Sequence, residues 1–203
     1  MSVCKWLIVI NVIAYGLCFI FNPVSLILTN QGIWYTFITS IFLHANFNHL
    51  FSNMACLFLF SDFEKVIGKK NYLYIYFIAG IMGDIFSIVF NPLLIGTLGA
   101  SGAVMGIIAA SLINNIKEQK CLIRMQQIHK RAIYITYIFT VIILLFLLIP
   151  SSDKNINNVA HISGFISGAI VYCIIENKEK WYVKKETEFW EDLEEKDNNK
   201  INL

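Results

Sequence analysis

Along the 203 residues, long apolar runs alternate with short polar punctuation at intervals that suit membrane-crossing helices. Six runs stand out, at 6–28, 48–66, 72–90, 99–114, 132–149 and 159–175, each near the roughly 20 residues an α-helix needs to cross a bilayer. Their ends carry stop signals. Asp62, Glu64 and Lys65 close the second run, Gly68, Lys69 and Lys70 turn the chain, Asn91-Pro92 closes the third and Pro150 the fifth. The pattern predicts an all-α polytopic bundle of six transmembrane helices. One lysine precedes the first run and no small-residue cleavage site follows it, so it is expected to stay as a helix and not to be removed as a signal peptide. Residues 29–47 carry Trp34, Tyr35, Phe37, Phe42 and Phe47 but no Asp, Glu, Lys or Arg, which suits a segment lying at the membrane interface.

Composition strengthens this picture. Hydrophobic residues make up 57% of the chain and the mean hydropathy is +0.61, beyond the range of an ordinary soluble domain. Half of the charged residues, 16 basic and 14 acidic in all, fall in 176–203. The expected organisation is therefore a membrane domain over 1–175 followed by a charged tail over 176–203. A net charge of +2 gives no reason to expect nucleic acid as a partner. The five cysteines show no paired metal-ligand spacing, and no metal or other cofactor is expected.

Charge also orients the bundle. The segments after the second and fourth runs, together with the tail, hold Lys65, Lys69, Lys70, Lys117, Lys120, Arg124, Lys130, Arg131 and the tail lysines, whereas those after the first, third and fifth hold only Lys154. By the positive-inside rule both termini belong in the cytoplasm. Ser101, His161 and the pair His49 and Asn53 then all enter from the extracytoplasmic side, at the starts of the fourth, sixth and second helices. His49 and Asn53 are four apart, about 40° around a helix, so they share a face. His161, Gly164 and Gly168 follow i, i+3, i+7, and Gly102 and Gly106 form a small-xxx-small pair beside Ser101. Small residues let helices in lipid approach closely, which would bring the fourth and sixth helices, and with them the serine and the histidine, together.

These motifs, in this order, resemble the rhomboid family of intramembrane serine proteases. Gly99-Ala100-Ser101-Gly102 matches its Gly-x-Ser-Gly. Ala160-His161 with Gly164 and Gly168 matches Ala-His-x-x-Gly-x-x-x-Gly, and His49 with Asn53 matches His-x-x-x-Asn, with Phe42-Leu43-His44 upstream. Glu64 and Gly68 resemble the Glu-x-x-x-Gly at the cytoplasmic end of the second helix. The resemblance implies an endopeptidase that cuts transmembrane or juxtamembrane segments of membrane proteins. It implies a dyad without a third acid: Ser101 attacks the carbonyl and His161 moves the proton. The Ser101 amide, Asn53 and His49 would hold the oxyanion. Two positions depart from the common pattern, Thr36 where relatives often carry arginine and Met105 where they often carry an aromatic residue.

Other readings fit less of the chain. His44 and His49 are about 140° apart on a helix, too far around to share one ion. A soluble hydrolase elbow needs Gly-x-Ser-x-Gly, and residue 103 is alanine. Asp84 lacks a second aspartate at its depth for an aspartyl mechanism, and is expected either to be hydrogen-bonded between helices or protonated within the bundle. The runner-up is a non-catalytic rhomboid-like protein that binds and escorts membrane helices; a transporter is third.

Overall fold

The structure is a computed structural model, and it describes residues 2–21, 23–29, 33–90, 96–118, 138, 141 and 157–178. Among these the secondary structure is helical, with a single isolated bridge between Leu28 and Thr97. Of the fifth expected helix, 132–149, only residues 138 and 141 are described, both helical, and the tail from 179 onward lies outside the described residues. The chain divides into a unit over Met1–Val171 and a second over Tyr172–Leu203; the candidate site lies in the first.

Helix α1 spans Val3–Leu17, earlier and shorter than the run 6–28. Its start is set by Ser2, whose hydroxyl accepts the Lys5 amide, and by Glu64, whose two oxygens accept the Val3 and Cys4 amides at 2.9 and 2.8 Å. It ends before Pro23, which lacks an N–H and opens a 3-10 turn, Pro23–Leu26. The interfacial segment is not a plain loop: it folds into α2, Thr36–Thr39, and a 3-10 turn, Ser40–Phe42. The run 48–66 is likewise broken. Helix α3, Phe47–Leu59, stops at Phe60, and a separate α4, Phe63–Ile67, turns Glu64 inward onto the start of α1.

Helix α5, Lys69–Phe90, is the spine of the unit. At 22 residues it is about 33 Å long, enough to cross a hydrocarbon core of roughly 30 Å. It and α7, Asn158–Lys178, are the two described helices long and apolar enough for that. Helix α6, Ser101–Glu118, is buried along its first ten residues except at Ser101; Gly102, Ala103 and Gly106 lie against α5, and Gly102 and Gly106 also against the helix that carries Ala160 and Gly164. Tyr76, Ala79, Gly80, Gly83, Asp84 and Ser87 form the buried face of α5, at the i, i+3, i+4, i+7 spacing of a helix stripe.

Candidate active site

Three short polar signals set where the candidate residues stand. Asn46 caps α3, its side-chain oxygen accepting the His49 amide at 2.8 Å. Asn157 caps α7, its oxygen accepting the Ala160 amide at 3.1 Å. Before α6, the Thr97 amide donates to the Leu28 carbonyl at 2.8 Å and the Gly99 amide to the Ser40 carbonyl at 2.9 Å. Gly99 has φ +121°, a conformation L side chains avoid, and a Cβ there would also meet His49 at 2.5 Å. That turn delivers Ser101 as the first residue of α6, half-buried, with a backbone N–H that has no acceptor within the helix.

Glycine contacts set the approach of α5, α6 and α7. A Cβ on Gly164 would stand 2.8 Å from the Gly102 carbonyl carbon, and one on Gly168 would stand 2.6 Å from that of Gly106. A Cβ on Gly102 would lie 3.4 Å from the Ala160 carbonyl oxygen, and one on Gly83 3.0 Å from the same atom. Ser101 precedes Gly102 and His161 follows Ala160, so both flank this backbone contact. The His161 ring nitrogen Nδ1 is buried without a hydrogen-bond partner. Met105, where an aromatic residue is common, is buried in α6.

The second helix contributes its own pair. The Asn53 amide donates to the His49 carbonyl at 3.0 Å, which commits one of its two N–H groups and leaves one. The His49 ring lies beside Gly99, two residues from Ser101. His44 does not share a helix with His49, because it lies in the non-helical stretch between the 3-10 turn Ser40–Phe42 and α3; the two rings meet edge to face, 5.0 Å between centroids. His44 lies outside the spans, and burial first, then the neighbouring His49, pushes its pKa down to about 4. Among the described residues no three His, Cys, Asp or Glu side chains converge as a metal site.

Thr36 is buried and donates its hydroxyl to the Ile33 carbonyl at 2.6 Å, helping to start α2. Asp84 is hydrogen-bonded between elements: its carboxylate accepts hydroxyls from Ser40, at the start of the 3-10 turn after α2, at 2.7 Å and from Thr97, in the segment before α6, at 3.1 Å.

The chain matches the family model of the rhomboid domain over residues 31–178. It is a rhomboid protein. Membership makes it an integral, multi-pass membrane protein of a family that includes proteases acting on other membrane proteins. The rhomboid-family protein YdcA of Bacillus subtilis is 33% identical over 154 residues, covering 75% of this chain and 73% of YdcA. Rhomboid protease AarA of Providencia stuartii is 33% identical over 190 residues, covering 83% of this chain and 64% of AarA. Inactive rhomboid protein 1 of Papio anubis is also 33% identical, over 131 residues, covering 64% of this chain and 14% of its own length. Similarity thus reaches both active and inactive rhomboids. Ser40, Thr97 and Asn157 are site-proximal residues that the sequence pattern passed over. Asn157 carried a usable signal, an asparagine at a helix start; the two hydroxyls carried none.

Proposed function

We propose that this rhomboid is an intramembrane serine endopeptidase in which Ser101 and His161 form the catalytic dyad. The observation that carries the reading is the contact of α6 with α7 at Gly102 and Ala160, one residue from each reacting side chain. A histidine whose Nδ1 meets no carboxylate fits a dyad without a third member.

His161 takes the Ser101 hydroxyl proton as Oγ adds to the scissile carbonyl carbon. The oxyanion is held by the Ser101 amide at the positive end of α6, by the remaining Asn53 N–H and by His49. When the C–N bond breaks, His161 passes its proton to the leaving amine, and water then hydrolyses the acyl-enzyme by the same steps in reverse order. A regular helix hides its carbonyls, so substrates are membrane proteins whose transmembrane segment unwinds near small or helix-breaking residues.

The topology that accompanies this has six transmembrane helices, the fifth over 132–149. Both termini are cytoplasmic, the tail over 176–203 follows a membrane domain over 1–175, and the site opens to the extracytoplasmic side. A fluorophosphonate probe tests the chemistry. It should label the wild type and not Ser101→Ala; equal labelling of the two would end the catalytic reading.

The similarity to an inactive rhomboid favours one alternative, a non-catalytic binder that escorts membrane helices. Such a protein would hold a transmembrane partner equally well with Ser101→Ala and would never shorten it.

A further inference from the structure

One turn of α5 carries two buried polar side chains that the proposed chemistry does not use. Asp84 and Ser87 are 5% and 0% exposed, and each faces a segment leading into one half of the proposed dyad. On the serine side, Asp84 Oδ2 accepts the Ser40 hydroxyl at 2.7 Å and Oδ1 accepts the Thr97 hydroxyl at 3.1 Å. The Ser40 carbonyl in turn accepts the Gly99 amide at 2.9 Å. Ser101 begins α6 two residues later.

On the histidine side, Ser87 Oγ accepts the Asn157 side-chain amide at 2.8 Å while donating to the Gly83 carbonyl at 2.8 Å. The Asn157 oxygen caps α7 by accepting the Ala160 amide at 3.1 Å, one residue before His161. Gly83, one residue before Asp84, lies against the Ala160 carbonyl.

We infer that Asp84 and Ser87 are positioning residues: a single turn of α5 seats Ser101, through Ser40, Thr97 and Gly99, and seats His161, through Asn157. The inference rests on the dyad reading above. Its physical basis is that hydrogen bonds are directional where apolar packing is not. A carboxylate in the membrane is costly, and a buried polar cluster is often no more stabilising than apolar residues of the same shape. Two hydroxyl donors on one carboxylate do, however, fix the turn before α6 in one geometry. Because both anchors belong to one rigid helix, the two halves are referenced to each other, and an error of about 1 Å in such a pair can cost roughly 100-fold in rate.

The test is the kinetics of fluorophosphonate labelling of the full chain in lipid vesicles, read as a limiting rate and a half-saturating probe concentration. Asp84→Leu removes both acceptors, Asp84→Asn keeps one, Thr97→Val removes a single hydroxyl at constant shape, and Ser87→Ala frees Asn157 while leaving its cap. Asp84→Leu and Ser87→Ala should each lower the limiting rate by about 10- to 100-fold, with half-saturation moved less than about 2-fold. Asp84→Asn should recover most of that loss, and Thr97→Val should fall between. Should Asp84→Leu fail to fold, Thr97→Val and Ser87→Ala carry the test.

Wild-type limiting rates in the folded variants would overturn the inference, as would a loss confined to half-saturation or one that only tracks the folded fraction. Equal labelling of wild type and Ser101→Ala is a different result: it removes the dyad reading itself, and this inference with it.

Discussion

Glu64 closes the first helix from sixty residues away in sequence: its carboxylate accepts the amides of both Val3 and Cys4, and it is 4% exposed. Cys4 adds a thiol contact to the Leu57 carbonyl at 3.2 Å, so the start of α1 is tied to α3 as well as α4. Glu64→Ala leaves two amides without acceptors at a helix N-terminus and should cost about 2 kcal/mol or more. Glu64→Gln keeps one acceptor oxygen and should cost less. Thermal unfolding in detergent micelles checks both, and an unchanged midpoint for Glu64→Ala would show that the contact contributes nothing.

Substitutions at the proposed dyad should not add. Ser101→Ala, His161→Ala and the double variant should each reduce cleavage of a single-span substrate by about 10⁴-fold or more, to a common residual level, because members of one catalytic unit fail together. Asn53→Ala should retain the dyad and lose about 10²- to 10³-fold, the usual effect of one oxyanion donor. Turnover measurements on purified variants decide this; an additive double variant would mean that the two side chains act separately.

The glycines sort by what surrounds them. A Cβ at Gly164 would be forced onto the backbone of Gly102, whereas one at Gly16 in α1 would meet nothing within 4 Å. Gly164→Val should therefore wedge α6 from α7, costing roughly 1–3 kcal/mol by overpacking and most of the activity. Gly16→Ala should be neutral or stabilise by up to about 1 kcal/mol through helix propensity. Melting midpoints and activities of the two variants, measured side by side, should move in opposite senses or only for Gly164→Val.

His44 gives a stability that depends on pH. Its pKa is held at about 4 when folded, against about 6.5 for a free imidazole, so between those values the unfolded chain binds a proton that the folded chain refuses. The stabilisation from a neutral, buried His44 is complete above about pH 6.5 and drains away as pH falls toward 4, in all on the order of 3 kcal/mol. His44→Phe, which cannot titrate, should show a shallower fall in melting midpoint from pH 7 to 4 than the wild type. Parallel curves would place the acid sensitivity elsewhere.

The family and the candidate site were legible because membrane helices advertise themselves by length and because the motifs around Ser101, His161, His49 and Asn53 are short and local. The boundaries were less so. Asp62, Glu64 and Lys65 mark an end to the second run but not the restart of helix at Phe63, which turns Glu64 onto the start of α1. Asp84 was visible as an anomaly, but its partners, 44 residues upstream and 13 downstream, were not. His44 and His49 stand far apart on a helical wheel, which assumes one continuous helix; His44 lies in the non-helical stretch before α3, and there the two rings meet.

By itself, then, the order of residues determined that this chain lives in lipid, where most of its described helices fall and which side chains are candidates for serine chemistry, since hydropathy, helix caps and reactive groups are properties of a few neighbours. The tertiary structure decided which of those groups meet. Close passage of Gly102 past Ala160, the seat of Gly99 against His49 and the two anchors on α5 depend on how helices cross, and crossing is set by side chains far apart in the chain filling one another's space.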